Sequence, residues 1–248
     1  MHLVETQGNT DLETLIVTWQ NPDTRTYFRI GLLRHTLEDL YSFEYVNGIE
    51  TVEDFTPLVG LEDMAAIHFS EKLFPVFAER IMDSRRPGFD AWLESLRTDR
   101  SASPMEVLAR SNGKRGSDTL QMFPLATPDA EGLAQVRFFV HGIRHLPGAL
   151  QRVDGVSAGQ ALHIVDDSTN EVDPRALIVA ADGGGLGWVP GPMLSYVRIL
   201  RDSSHWKCEI EQVNPVSAGP HQRLLVVVEG EAPERSALID SLLDSPSI

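Results

Sequence analysis

The sequence predicts an α+β chain in two parts. Residues 1–128 read as a mixed sheet-and-helix domain, residues 133–232 as a small, partly open β-barrel with one or two short helices, and residues 233–248 as a tail. Three observations carry this. In the first half, strand patterns come first, then helix patterns, then a closing strand. Between the halves, Ala126–Gly132 (ATPDAEG) is small, polar and Pro-containing, which suits a boundary. In the second half, short β-branched and aromatic runs alternate with Gly/Pro turns around a single helix pattern.

In order along the first half, Leu15–Trp19 and Tyr27–Leu32 read as strands joined through the turn Asn21-Pro22-Asp23. Tyr41–Tyr45 (YSFEY) alternates aromatic with polar, the mark of a half-buried strand. Leu73, Phe74, Phe77 and Ile81 have helical spacing, so a helix is expected over Glu71–Met82 with Ser70 as cap; Pro75, in its second turn, favours a later start. A second helix fits Phe89–Leu96. The third has the clearest local signature: Ser103-Pro104-Met105-Glu106 is a capping box with Pro at the first helical position, and Ser111-Asn112-Gly113 ends it. A strand, Thr119–Pro124, follows.

In the second half, strands are expected over Val136–Ile143, Ala161–Val165, Ala176–Val179, Gly187–Val189, Trp206–Val213 and Leu224–Glu229, with a helix over Met193–Leu200. Gly183–Gly185 reads as a turn, and Leu238–Leu243 as a helical turn or two in the tail.

Composition narrows the function. A formal charge of −15 argues against a general polyanion binder, which needs many Lys/Arg–phosphate contacts. The charge is uneven, however: between Val136 and Gly230 eight basic residues stand against ten acidic ones, which leaves room for a small anion site. One cysteine, Cys208, excludes an intrachain disulfide framework and a Cys-based zinc site within one chain. Met1–Glu13 has no signal-peptide pattern and no apolar run nears the ~20 residues of a membrane helix, so a cytoplasmic protein with no membrane association is expected.

The series YSFEY, TPLVGL, SEKLFPVFAERI and SPMEVLARSNGKRGSDTLQMFP, from Tyr41 to Pro124, resembles the N-terminal subdomain of HipA-type kinases. It departs from that pattern at Pro57-Leu58-Val59, where the family has Pro-Leu-Ser, and at Ser117–Leu120, where it has Gly-Ala-Leu. No kinase lobe follows, so the resemblance brings no kinase activity. It implies a protein-docking role, antitoxin-like, through residues 1–128.

From Val136 to Gly230 the chain resembles the HIRAN domain of fork-remodelling helicases and of standalone bacterial proteins. The residues that carry this are the aromatic strand ending at Gly142, AGQALHIVDD, Asn170-x-x-Asp173 followed by Ala176, and Gly187-Trp188-Val189-Pro190. The resemblance implies an OB-like or SH3-like barrel that captures the 3′ end of single-stranded DNA, with bases stacked on aromatic rings and phosphates held by a few cations. By position, Asn170 and Asp173 form the polar turn, with Asp173 accepting a hydrogen bond from a terminal hydroxyl; Phe139 is a DNA-facing strand aromatic, and Trp188 stands where the helicases have His. Three family positions differ: Val140 and Val172 replace aromatics, and Gly191 replaces a Lys. Arg144 and Arg175 are the cations expected to compensate, together with Arg137. Asn170 and Asp173 also have a purely structural reading, since Asx residues cap turns.

Other motifs point less far. Gly155-Val156-Ser157-Ala158-Gly159 matches G-x-S-x-G, but a strand rather than a helix is expected after it, so a turn is the better reading than a nucleophile elbow. His141 and His145 lack the Glu and the helix of a zinc motif, and Asp166, Asp167 and Asp173 read as turn carboxylates rather than a cation site. Lys114-Arg115 reads as a solvated loop. No metal or cofactor is expected. The expectation is a non-enzymatic module that recognises single-stranded DNA or DNA ends through Phe139, Arg144, Asn170, Asp173, Arg175 and Trp188. The alternative is a regulatory protein that docks a protein partner through residues 1–128.

Overall fold

The computed structural model describes residues 11–116, 118–125 and 128–234. Along the chain the strands are β1 (Asp11–Gln20), β2 (Tyr27–Thr36), β3 (Tyr41–Tyr45), β4 (His68–Ser70), β5 (Leu120–Pro124), β6 (Leu133–Phe139), β7 (His163–Asp166), β8 (Leu177–Ala181), β9 (Gly184–Trp188), β10 (Lys207–Val213) and β11 (Leu224–Glu231). The helices are α1 (Pro75–Ala78), α2 (Phe89–Ser95), α3 (Pro104–Ser111), α4 (Ala149–Asp154) and α5 (Leu194–Arg201). The tail helix expected over Leu238–Leu243 lies outside the described residues.

The chain forms two compact units, and both are discontinuous in sequence. Among the described residues, the first comprises 11–81 and 103–125, the second 82–102 and 128–234. The α+β class is therefore observed, built from small antiparallel sheets and short helices.

The first unit is a five-stranded antiparallel sheet in the order β4-β3-β2-β1-β5. The YSFEY alternation sends Tyr41, Phe43 and Tyr45 to one face, where they join Leu15, Ile30, Leu33, Phe77, Met105 and Leu108 in a buried cluster. Fully burying such side chains stabilises by about 1.5–3 kcal/mol each, which is why this face of the sheet holds α1 and α3. The expected helix over Glu71–Met82 shrinks to the single turn of α1. Pro75 occupies its first position, because proline restricts the residue before it to extended backbone and has no N–H to give a preceding turn. Ser70 ends β4 instead of capping a helix. In contrast, α3 starts as the sequence predicts, with Ser103 Oγ accepting the Glu106 N–H at 3.0 Å. It stops at Asn112, whose φ of 54° is left-handed and whose amide donates to the Met122 carbonyl of β5 at 3.1 Å. The following loop is held from beneath by Arg80, which donates to Gly113 O at 2.9 Å and pairs with Asp118 at 2.7 Å, while Arg115 pairs with Glu79.

The second unit has two three-stranded antiparallel sheets, β10-β11-β6 and β7-β8-β9. They are joined along both margins. His141, just past β6, bridges Trp188 of β9, and Ala161, just before β7, bridges Glu209 of β10. Backbone bonds extend the second seam, from Leu162 N to Cys208 O, Gly159 N to Ile210 O and Ile210 N to Gln160 O. Phe138, Val140, Leu177, Val179, Leu186, Ile210, Val226 and Val228 are buried in this unit, and α5 lies against β11. Three features depart from the sequence reading. The strand expected over Val136–Ile143 runs over Leu133–Phe139, and Ile143 begins a 3-10 turn instead. Gly184 and Gly185 belong to β9 rather than to a turn, so the hairpin bends at Asp182-Gly183. Ala149–Asp154, which carries no strong helical pattern, forms α4.

Candidate nucleic-acid interface

The turn between β7 and β8 is organised by three side chains. Asn170 Oδ1 accepts the backbone N–H groups of Val172 (3.0 Å) and Asp173 (3.1 Å), an Asx turn that fixes the Asn-x-x-Asp spacing. Asp173 accepts from Arg175 through its backbone N–H (2.9 Å) and its guanidinium (3.2 Å). Asp167 accepts from Asn170 Nδ2 (3.1 Å), from Thr169 Oγ1 (3.0 Å) and from the Trp188 indole N–H (2.9 Å). The Trp188 bond, then the Asn170 bond, holds the Asp167 carboxyl below the usual carboxylate range. Asp167 is thus the link between the Asn-x-x-Asp turn and the Gly-Trp-Val-Pro tetrad.

Trp188 is placed by two glycines. A Cβ on Gly187 would stand 2.4 Å from the His141 carbonyl, so only glycine lets β9 approach the end of β6 closely enough to form the His141–Trp188 bridge. Gly142 has a φ of 69°, and a Cβ there would stand 2.5 Å from the Trp188 ring. The indole therefore lies over bare backbone, half-buried, with its N–H committed to Asp167.

A second layer of charge supports the turn. Asp166 is gripped by Arg198 and by Arg201 (2.7 Å), and Arg198 also donates to the Arg175 carbonyl at 2.6 Å. These two arginines, first and then second, lower the Asp166 pKa. They sit three apart on α5, so one helix face clamps the far end of β7.

Of the six expected site residues, Asn170, Asp173, Arg175 and Trp188 fall in this one network, and Arg144 is exposed two residues beyond Gly142. Phe139 is a correction. It is 3% exposed, paired with Leu225 inside the β6–β11 sheet, so its ring offers no face to a base. Val172, at the position between Asn and Asp, is 89% exposed. Arg137 is paired with Glu211 at 3.0 Å. Asp167, Arg198 and Arg201 were absent from the expected set; the i, i+3 arginine pair opposite an Asp-Asp dipeptide is the signal that could have marked the last two.

The other motifs resolve locally. Ser157 lies in a turn that follows α4 and precedes β7, the reverse of the strand-then-helix order of a nucleophile elbow. His141 is in the β-bridge and His145 in a 3-10 turn. Among the described residues no group of three or more His, Cys, Asp or Glu could hold a metal ion, and no helix is long and apolar enough to cross a membrane. Cys208 is buried, which pushes its thiol up to about 12.

No family model matches the chain, and no curated protein matches it. Two solved structures share part of its course. A protein from Lactobacillus plantarum is 17% identical with a TM-score of 0.30, over 40% of this chain and 100% of that one. The HIRAN domain of human HLTF is 17% identical with a TM-score of 0.31, over 46% of this chain and 93% of that one. Likenesses of this size leave the chemistry to be read from the chain's own residues.

Proposed function

We propose that the second unit is a non-enzymatic module that binds single-stranded DNA at a 3′ end, through Asn170, Asp173 and Trp188 with Arg144 and Arg175 alongside. The reading rests on the HIRAN resemblance of the sequence, with its OB-like barrel, and the bridges along both sheet margins agree with a closed strand arrangement. The observation that carries it is the fixed indole of Trp188, joined through Asp167 to a turn whose Asp173 carboxylate stays partly exposed. A ring held by a hydrogen bond loses little freedom when a base stacks on it, and such stacking contributes about 1–3 kcal/mol per base. Asp173 keeps lone pairs beyond those that Arg175 occupies, enough to accept a terminal hydroxyl.

The test is fluorescence anisotropy of the full chain at low salt, with oligonucleotides carrying free or blocked 3′ ends. Binding is expected to favour the free end, and Asp173→Ala is expected to remove that preference. Flat titrations to high micromolar protein would reject the reading.

A second reading has its own observation. On the edge strand β4 and just before it, Phe69 and Ile67 are 65% and 49% exposed, and no Lys or Arg occurs between Arg34 and Lys72. An exposed apolar strand edge suits protein docking through the first unit. Phe69→Asp in the full chain is then expected to abolish recovery of a partner in pull-down; undiminished recovery excludes this edge.

A further inference from the structure

Residues 82–102 leave the first unit, fold onto the second and return. What fastens them is built into the end of β10 and the residue just past it. Asn214 is 3% exposed and donates both to the Ser95 carbonyl (2.8 Å) and to the Gln222 carbonyl (2.6 Å), while Gln212 donates to the Glu94 carbonyl (3.1 Å) and to Asn214. Arg223, also buried, holds the Asn214 carbonyl and Asp154. Between α2 and this end of β10 lies a groove of about 1030 Å³, lined on both sides by residues of the second unit.

We propose that this groove is a second contact for single-stranded nucleic acid, taking a base against Trp92 and a phosphate on Arg97. The proposal rests on the single-strand reading of the second unit and extends it to a place that reading does not use. The Trp188 turn supplies one ring, whereas a strand held without sequence preference is held by successive rings and cations along its path.

Arg97 carries the argument furthest. It occupies the position just past α2 where the backbone turns left-handed, with φ of 61°; its N–H reaches the Glu94 carbonyl at 2.9 Å and the next N–H, of Thr98, reaches Leu93 at 3.0 Å. Glycine fills this helix-ending position without strain, and arginine does not. Nor does the arginine side chain repay the strain within the fold: among the described residues its guanidinium makes no hydrogen bond or ion pair, and it lines the groove. Residues held in the left-handed region cluster at ligand sites, and Arg97 combines that backbone with a place in the groove lining.

The rest of the lining fits a nucleotide. Trp92 is half-buried against Phe89, with ring centroids 5.9 Å apart, and presents the remainder to the groove. The Ser157 and Ser217 hydroxyls make no hydrogen bond among the described residues and can meet sugar or base edges. Of the two carboxylates, Glu211 is taken by Arg137 at 3.0 Å, which leaves Glu94 alone to offset Arg97. That balance suits one phosphate at this point rather than a run of them.

The test uses the full chain, a fluorescein-labelled oligothymidylate and a thermal melt. Arg97→Gly is expected to leave Tm unchanged or raise it, since glycine suits the left-handed backbone, while weakening binding about tenfold and reducing the slope of log K against log salt by about 0.7, the share of one phosphate on a single strand. Trp92→Leu is expected to weaken binding about tenfold with the salt slope unchanged. If both variants bind like the wild type while Asp173→Ala still erases the free-end preference, the groove is overturned and the Trp188 site stands. If Arg97→Gly lowers Tm and leaves binding intact, the arginine is structural and the proposal fails. A wild type that binds no oligonucleotide overturns both.

Discussion

At the scale of single residues, Asp167 decides more than its position in an exposed turn suggests. It accepts from Trp188, Asn170 and Thr169, and its folded pKa is lowered. A depressed carboxylate stabilises the fold above its unfolded value of about 3.9 and loses that contribution as pH falls through the lower folded value. The expected outcome is an acid transition in Trp188 emission below about pH 4, read as the difference between wild type and Trp188→Phe, and absent in Asp167→Asn. Persistence of the transition in Asp167→Asn would assign it elsewhere. This residue was hard to read from sequence because its deciding bond reaches across 21 residues, from a turn to the next strand but one. Asn170 and Asp173 were legible because their partners lie two or three residues away. Phe139 misled for another reason. Phe138, Phe139 and Val140 are consecutive and all buried, so alternation, the rule that tells an inward from an outward strand residue, fails there.

At the scale of elements, local chemistry predicts ends better than lengths. Ser103 and Asn112 mark the limits of α3, and the structure uses both as caps. Ser103→Ala is expected to cost about 1 kcal/mol, because the Glu106 N–H loses its acceptor. The loss also frees Glu13, whose carboxylate accepts from Ser103 Oγ at 2.9 Å, so a Glu13→Ala, Ser103→Ala double mutant checked by urea unfolding should cost less than the sum of the singles. For α1 the apolar spacing was real and still overstated the helix, since Phe74 and Phe77 reach the core from one turn as well as from three. Spacing reports which side chains are buried; Pro75 determines how much backbone is helical.

At the scale of the whole molecule, composition changes at Ala126–Gly132, but nothing in the sequence marked residues 82–102 as part of the second unit. Their pattern, a short amphipathic helix after Pro87-Gly88, is complete in itself. The residues that claim them, Gln212 and Asn214, lie more than a hundred positions downstream. Asn214→Ala is expected to cost about 2–3 kcal/mol by leaving the Ser95 and Gln222 carbonyls without their donor. Hydrogen exchange should then quicken in α2 while β2 keeps its protection. Equal loss in both would mean that the two units unfold as one.

That crossing segment also sets a condition on how the protein is made. Phe89, Leu93 and Leu96 are buried in the finished fold, yet the strand that fastens their helix is translated some 118 residues later. At about 5–20 residues per second, the ribosome leaves these apolar side chains waiting for roughly 6–24 seconds. During that interval β5 can complete the first sheet and α3 can pack on it around an unplaced loop. A first unit that folds as it emerges thus leaves an apolar segment exposed until the second is made, a window in which aggregation competes with folding.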